Sequence, residues 1–283
     1  MAKLRIAITT ESTVDLPKEM LETLNVSVLP YTIVLNGEEF ADGTFTNEDL
    51  FAKVEKSGSL PKTQAINEYS FSEFFRQKLD HADAIIHFSL SGELSSSFEH
   101  ALIASKGFEN VRVVDTRALS TGIALLVIKA VEFVNAGCEL DEVISKISVL
   151  VPKVQTSFLI DKTNYLYKGG RCSLLSFVAA SILAIKPQIV MKNGKLEPAK
   201  KYRGSFDKAI IKYVRDTLEE FDKPDLDTIF ITYTTTKPET LDEIEAILNE
   251  TGFKKVYRTR AGCTISSHCG PNCLGILYFN DVN

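Results

Sequence analysis

Ala84-Ile85-Ile86-His87-Phe88 is an almost unbroken apolar run, and Ser89-Leu90-Ser91-Gly92-Glu93-Leu94-Ser95-Ser96-Ser97 follows it directly. A run this short and apolar reads as a strand buried on both faces, and the serine-rich stretch as a loop that opens a helix. The same unit occurs twice more. Leu4-Arg5-Ile6-Ala7-Ile8 leads into a hydroxyl-rich loop over residues 9–15. Val111-Arg112-Val113-Val114 leads into a loop over 115–121 and an apolar helix near 119–135. Continuous apolar strands alternating with helices predict an α/β fold with a parallel sheet covered on both faces.

Around these units the local signals are regular. A helix is expected from about Leu16, with Asp15 as its cap and Pro17 in its first turn. Residues 26–35 read as one strand ending at the tight-turn pair Asn36-Gly37. Thr46-Asn47-Glu48-Asp49 starts a helix with a near capping box, 57–67 is loop, and 70–79 is helix. The second half differs. Two strand-like runs, 187–191 and 195–199, flank Asn193-Gly194, a hairpin signal. Helix 205–221, strand 228–233, helix 238–250 and strands near 255–259 and 274–279 follow, which suggests an α+β arrangement. Two domains are expected, an N-terminal α/β domain over 1–157 and a C-terminal α+β domain over 158–283.

Composition narrows the function. With 283 residues, 45% hydrophobic and 24% charged, the chain is ordinary globular material, not a disordered tail or a coiled coil. Its net charge of −5 makes it a poor non-specific binder of polyanions, so no nucleic-acid partner is expected. Five cysteines without a C-x-x-C pair do not form a disulfide framework and fit a reducing cytoplasm. The N-terminal apolar run is too short for a signal peptide. The most apolar stretches, 123–134 and 174–185, fall short of the roughly 20 residues a membrane span needs. They read as buried core helices or as walls of an apolar pocket, with no stable membrane insertion.

In an open parallel sheet the three loops after the strands gather at the carboxyl edge, where ligands bind. Their hydroxyls and free helix-start N–H groups suit an anion, carboxylate or phosphate, although each Ser or Thr also serves as a helix cap. No phosphate-loop, dinucleotide, nucleophile-elbow or zinc-protease motif is present. Lys168-Gly169-Gly170-Arg171-Cys172-Ser173 lacks the phosphate-loop spacing and reads as a helix end followed by a new helix start. The segment from Cys263 to Cys273 holds three cysteines and His268, but their spacing is not that of a zinc site. His268 is expected in a loop between two strands, where it could bond a ligand carboxylate.

Eight short motifs in order carry a family resemblance. Thr10-Glu11-Ser12-Thr13-Val14-Asp15-Leu16-Pro17 resembles a T-D-S-T-A-D-L-P opening. Pro61-Lys62-Thr63 resembles the start of a T-S-Q-P-S loop, and Leu94-Ser95-Ser96-Ser97 falls where L-S-G-T is usual. Val114-Asp115-Thr116, Tyr165-Leu166-Tyr167-Lys168-Gly169-Gly170-Arg171, Ile185-Lys186-Pro187, Lys201-Tyr202-Arg203 and His268-Cys269-Gly270-Pro271 complete the set. The chain resembles the DegV family, fatty-acid-binding subunits that serve bacterial fatty-acid kinase. It departs from the family pattern in Gln64–Asn67 after Thr63, in Ser96-Ser97 after Ser95, and in Asn272 after Gly-Pro.

The resemblance implies two domains with a lipid site between them and a long-chain fatty acid in an apolar tunnel. It implies that Thr63, Ser95 and His268 hold the carboxylate, and Ser96 is included as their neighbour. It implies that Arg203 docks a separate ATP-dependent fatty-acid kinase catalytic subunit, which forms the acyl phosphate. This chain would then be non-catalytic and cofactor-free, with no metal site. Two alternatives stay open: a Ser/His hydrolase or acyltransferase using Ser95 and His268, and a metal or redox module on Cys263, His268, Cys269 and Cys273.

Overall fold

The three apolar runs pair side by side, joined by one further strand. A computed structural model describes residues 4–172 and 185–282. Its elements are β1 Ile6–Glu11, α1 Lys18–Thr23, β2 Val26–Leu29, β3 Thr32–Leu35, β4 Glu38–Ala41, α2 Asn47–Ser57, β5 Lys62–Gln64, α3 Glu68–Leu79, β6 Ala84–Ser89, α4 Ser97–Ser105, β7 Val111–Asp115, α5 Thr121–Asn135 and α6 Leu140–Leu150. The second half contributes β8 Val154–Ile160, α7 Thr163–Lys168, β9 Ile185–Lys192, β10 Lys195–Arg203, α8 Phe206–Glu220, β11 Pro224–Tyr233, α9 Pro238–Thr251, β12 Lys255–Arg260, α10 Cys263–Cys269 and β13 Cys273–Asn280.

The first sheet has the order β2-β1-β6-β7 and is parallel throughout. Every residue of β6 is buried, as an unbroken apolar strand requires. A second sheet, β10-β9-β8-β13-β11-β12, is antiparallel except for the β11–β12 pair. The hairpin between β9 and β10 turns at Asn193 and Gly194, with φ of 52° and 81°, as a two-residue turn of this type demands. A small antiparallel sheet, β4-β3-β5, lies apart from both. The chain is therefore α/β, with a parallel sheet in its first half and a separate sheet-rich second half that starts with β8 at Val154.

Helix α5 sits between the two large sheets. It packs on β1 and β6 on one side and on β8, β11 and β13 on the other. Thr121 to Val127 are all buried, because a helix apolar on every side must be enclosed on every side. Gly122 sets the approach to β8: a Cβ there would stand 2.8 Å from Thr156 Oγ1 and 3.2 Å from Val154 Cγ1.

Several local expectations change. Residues 26–35 form two strands in two different sheets, because Pro30 has no N–H to continue the ladder. The stretch 57–67 is not all loop: β5 runs through it and places Thr63 opposite Ile33 of β3. Helix α1 begins after Pro17, and Asp15 is not its cap. His268 lies in the last turn of helix α10, not in a loop. Helix α6 carries no motif and goes unread in the sequence. Of the stretch 174–185, only Ile185 falls within the described residues.

Replacing Gly122 with Val should overpack the α5–β8 contact and cost about 1–3 kcal/mol. Urea unfolding should then show a lower midpoint at an unchanged slope.

Candidate functional site

The carboxyl edge of the parallel sheet meets β5, α10 and the β9–β10 hairpin around a cavity. Leu90, Leu94, Leu119, Leu166, Leu196 and Ile265 make most of its wall apolar. Its polar groups are Tyr31, Thr63, Ser95, Arg171, Thr264 and His268. A second, smaller cavity shares Leu119, Ile265 and Cys269 with it and is lined further by Phe158 and Leu277.

The loop bearing Ser95 is tied to the sheet by a buried carboxylate. Glu11, at the end of β1, accepts from Ser89 Oγ at 2.6 Å and from Leu90 N–H at 2.9 Å. Ser95 Oγ accepts from the Tyr31 hydroxyl at 3.1 Å and from Ser97 N–H at 3.2 Å, and Ser95 donates toward Ser97 Oγ at 3.2 Å. Ser97 Oγ accepts in turn from Ile66 N–H, which links this loop to the segment after Thr63. Burial raises the Tyr31 phenol, with the nearby Glu11 adding to the effect, so it stays a neutral donor.

His268 reaches the cavity because the opposite end of its helix is clasped by the first half of the chain. The buried carboxyl group of Asp15 accepts from Gly262 N–H at 2.8 Å and from Ser120 Oγ at 2.5 Å. Asp42, also buried, accepts from Cys263 N–H at 3.0 Å and Thr264 N–H at 3.3 Å. Asn47 Nδ2 donates to Ala261 O at 2.8 Å. The free N–H groups of a helix start thus find their acceptors across the interface. At the other end, His268 Nε2 lies 2.9 Å from Thr63 Oγ1. A Cβ on Gly169 would stand 2.5 Å from His268 Nδ1, so the backbone of residue 169 must be glycine to let the ring in.

His268 Nδ1 is enclosed and has no hydrogen-bond partner among the described residues. A bare ring nitrogen there is less costly than an enclosed N–H without an acceptor, which assigns the proton to Nε2, donating to Thr63. Burial, with the Arg171 cation adding to it, lowers the His268 pKa to about 3, so the ring is neutral near pH 7. Arg171 donates from Nη1 to Gly169 O at 2.6 Å and from Nε to Leu94 O at 3.3 Å, fixing a positive charge at the cavity wall.

The hairpin closes one side. Ser91 Oγ donates to Gly194 O at 2.8 Å, Arg117 Nη1 donates to Asn193 O at 3.3 Å, and Lys195 pairs with Glu93 at 3.3 Å. Leu196, two residues past the turn, then faces the cavity.

Of the residues the sequence singled out, Thr63, Ser95 and His268 come together. Ser96 does not: it is exposed, precedes α4 without capping it, and is not part of the cavity wall. Arg203 is exposed at the far end of edge strand β10. Residues 123–134 border neither cavity and fill the core as α5. Cys263 Sγ contacts Phe45 O and Asn47 Oδ1, Cys269 borders the cavity with His268 and contacts Cys273, and among the described residues no group of three or more His, Cys, Asp and Glu side chains is placed to hold a metal ion. Among the described residues no helix is long and apolar enough to cross a membrane. Tyr31, Arg171 and Thr264 were not assigned to the site from sequence, although Arg171 closes the Lys-Gly-Gly-Arg motif.

A family model for uncharacterised proteins of the DegV family matches residues 5–281. The chain belongs to the DegV family. A DegV domain-containing protein of Caldanaerobacter subterraneus is 31% identical over 280 residues, covering 97% of this chain and 98% of that one. A DegV family protein from Thermus thermophilus, whose structure is described as fatty-acid binding, superposes with a TM-score of 0.87 at 27% identity, covering 98% of this chain and all of that one. A DegV lipid-binding protein from Thermotoga maritima superposes at 0.86 with 25% identity, covering 98% and 99%.

Asp15 gives this clasp a pH dependence. Burial raises its pKa to about 8, against the hydrogen bonds from Ser120 and Gly262 that lower it. The folded state therefore holds a proton that the unfolded chain releases above pH ~4, and stability falls as pH rises toward 8. His268 works in the opposite sense, losing stability as pH falls from its unfolded value of ~6.5 toward 3. The two offset each other between pH ~4 and ~6.5, and Asp15 acts alone above that. Unfolding free energy should drop between pH 6.5 and 8 by up to about 1.4 kcal/mol per unit, and Asp15→Asn should flatten that segment of the curve.

Proposed function

We propose that this protein binds a long-chain fatty acid, with the carboxylate at Thr63, Ser95 and His268, and presents it to a separate kinase. The observation that carries this reading is that Thr63, Ser95 and His268 border one largely apolar cavity. A desolvated carboxylate accepts only, and needs several donors. Thr63 Oγ1 accepts from His268, which leaves its hydroxyl proton to donate, and Ser95 Oγ accepts from Tyr31 and turns its proton from Ser97 Oγ to the carboxylate when the acid binds. His268 thus acts by orienting Thr63, and it does so as a neutral ring. Arg171, held by two backbone carbonyls, supplies at the cavity wall the charge an anion favours.

The apolar wall suits the tail. Each buried methylene contributes about 0.8 kcal/mol, so a long chain supplies most of the affinity and the head group supplies orientation. The second cavity beyond Leu119, Ile265 and Cys269 extends the apolar path. The related proteins described as fatty-acid and lipid binding support the same ligand class. The reading requires no cofactor. Arg203, exposed on β10, is assigned to the kinase-facing surface by the resemblance.

A Ser/His hydrolase needs a base bonded to its nucleophile. Here His268 Nε2 faces Thr63, and Ser95 bonds Tyr31 and Ser97 instead, which favours binding over turnover.

Mass spectrometry of the organic extract of purified, denatured protein should find a fatty acid at near-stoichiometric amount. Ser95→Ala should still fold and should weaken fatty-acid binding about 10- to 100-fold, the scale of one hydrogen bond to a charged group. An empty extract, with no uptake of added palmitate or oleate, would overturn the lipid reading. Unchanged affinity in Ser95→Ala would remove Ser95 from the head-group site.

A further inference from the structure

Helix α10 carries three hydroxyl side chains before His268, and two of them are accounted for by the helix itself. Ser267 Oγ donates to Cys263 O at 2.7 Å, and Ser266 Oγ donates to Ala261 O at 3.4 Å. Thr264 differs. It is 3% exposed and borders the same cavity as Thr63 and Ser95, yet its Oγ1 has no hydrogen-bond partner among the described residues. A hydroxyl buried without a partner is costly, and a valine of the same shape would avoid the cost.

The position explains what such a hydroxyl could meet. Thr264 stands four residues before His268, so the two side chains share one face of the helix. That face is the one turned to Thr63, through the His268–Thr63 contact. The backbone of Thr264 is fixed by its N–H to Asp42 Oδ2, so the residue is anchored while its hydroxyl is left over. A carboxylate offers about four lone-pair sites, and Thr63 and Ser95 fill two of them.

We propose that Thr264 is a third hydroxyl of the head-group site, donating from Oγ1 to a carboxylate oxygen of the bound acid. This rests on the fatty-acid reading and adds to it a contact that the family motifs do not include. Thr264 is the residue of this set whose role is visible only as an unmet hydrogen bond.

The test is a set of two substitutions measured with palmitate and with hexadecanol, its neutral counterpart. Thr264→Val keeps the shape and removes the hydroxyl; Thr264→Ser keeps the hydroxyl and trims the methyl. Thr264→Val should weaken palmitate binding about 10-fold, the scale of one hydrogen bond to a charged group, and hexadecanol binding less. Its ligand-free stability should hold or rise, since the unpartnered hydroxyl is gone. Thr264→Ser should retain palmitate affinity. Palmitate affinity unchanged in Thr264→Val would overturn the proposal and leave Thr264 as wall. Equal losses in both variants, or equal losses for acid and alcohol, would also overturn it, because they report shape instead of a hydroxyl. Failure of the unaltered protein to bind palmitate would overturn the fatty-acid reading itself and this proposal with it, an outcome distinct from the other three.

Discussion

Two buried carboxyl groups facing the start of a seven-residue helix hold the halves of this molecule in register. A helix that short has little stability of its own, and its leading N–H groups need acceptors wherever it is placed. Asp15 and Asp42 supply them from the first half of the chain, while the helix belongs to the second. The consequence is geometric. With one end of α10 held by Asp15 and Asp42, the other end delivers His268 to within hydrogen-bond distance of Thr63. The part of the cavity where Thr63 and His268 meet is therefore built from both halves.

The same economy of polar groups governs the cavity. Each polar side chain at its wall is either consumed by a fixed partner or left with one free valence. Tyr31 and His268 are both kept neutral by burial, one far from losing its proton and the other far from gaining one. A site built this way keeps its donor pattern across the ordinary pH range, because the groups that set the pattern do not titrate there. Arg171 adds a permanent charge whose guanidinium is held by two backbone carbonyls, so it does not need a mobile counter-ion to stay in place.

The parallel sheet was legible in the sequence because its signal is local: an apolar strand, then a hydroxyl-rich loop, then a helix. The hairpin at Asn193-Gly194 and the capping box at Thr46 were legible for the same reason. The misreadings share one physical origin, which is that the deciding partner is remote. Asp15 looks like a helix cap beside Leu16-Pro17, but its partners are Ser120 and Gly262, 105 and 247 residues away. Thr63 looks like loop until β3 pairs with it. His268 and Thr264 sit among cysteines, which drew attention to metal chemistry, whereas the helix they form is set by acceptors no local pattern can contain. Thr63, Ser95 and His268 were recoverable through ordered short motifs. Tyr31 has no such motif, and its only trace is a position next to a strand-breaking proline.

Helix α5 bears on how this chain can change over time. Its apolar surface is shared by two sheets, so neither half owns a finished core. A gene fragment ending between the halves would leave α5 with an uncovered apolar flank, a product prone to stick to others. The two halves are for that reason not interchangeable cassettes. Shuffling, splitting or duplicating one of them would have to reinvent the surface of α5 at the same time, and the chain should be inherited, expressed and engineered as a single unit.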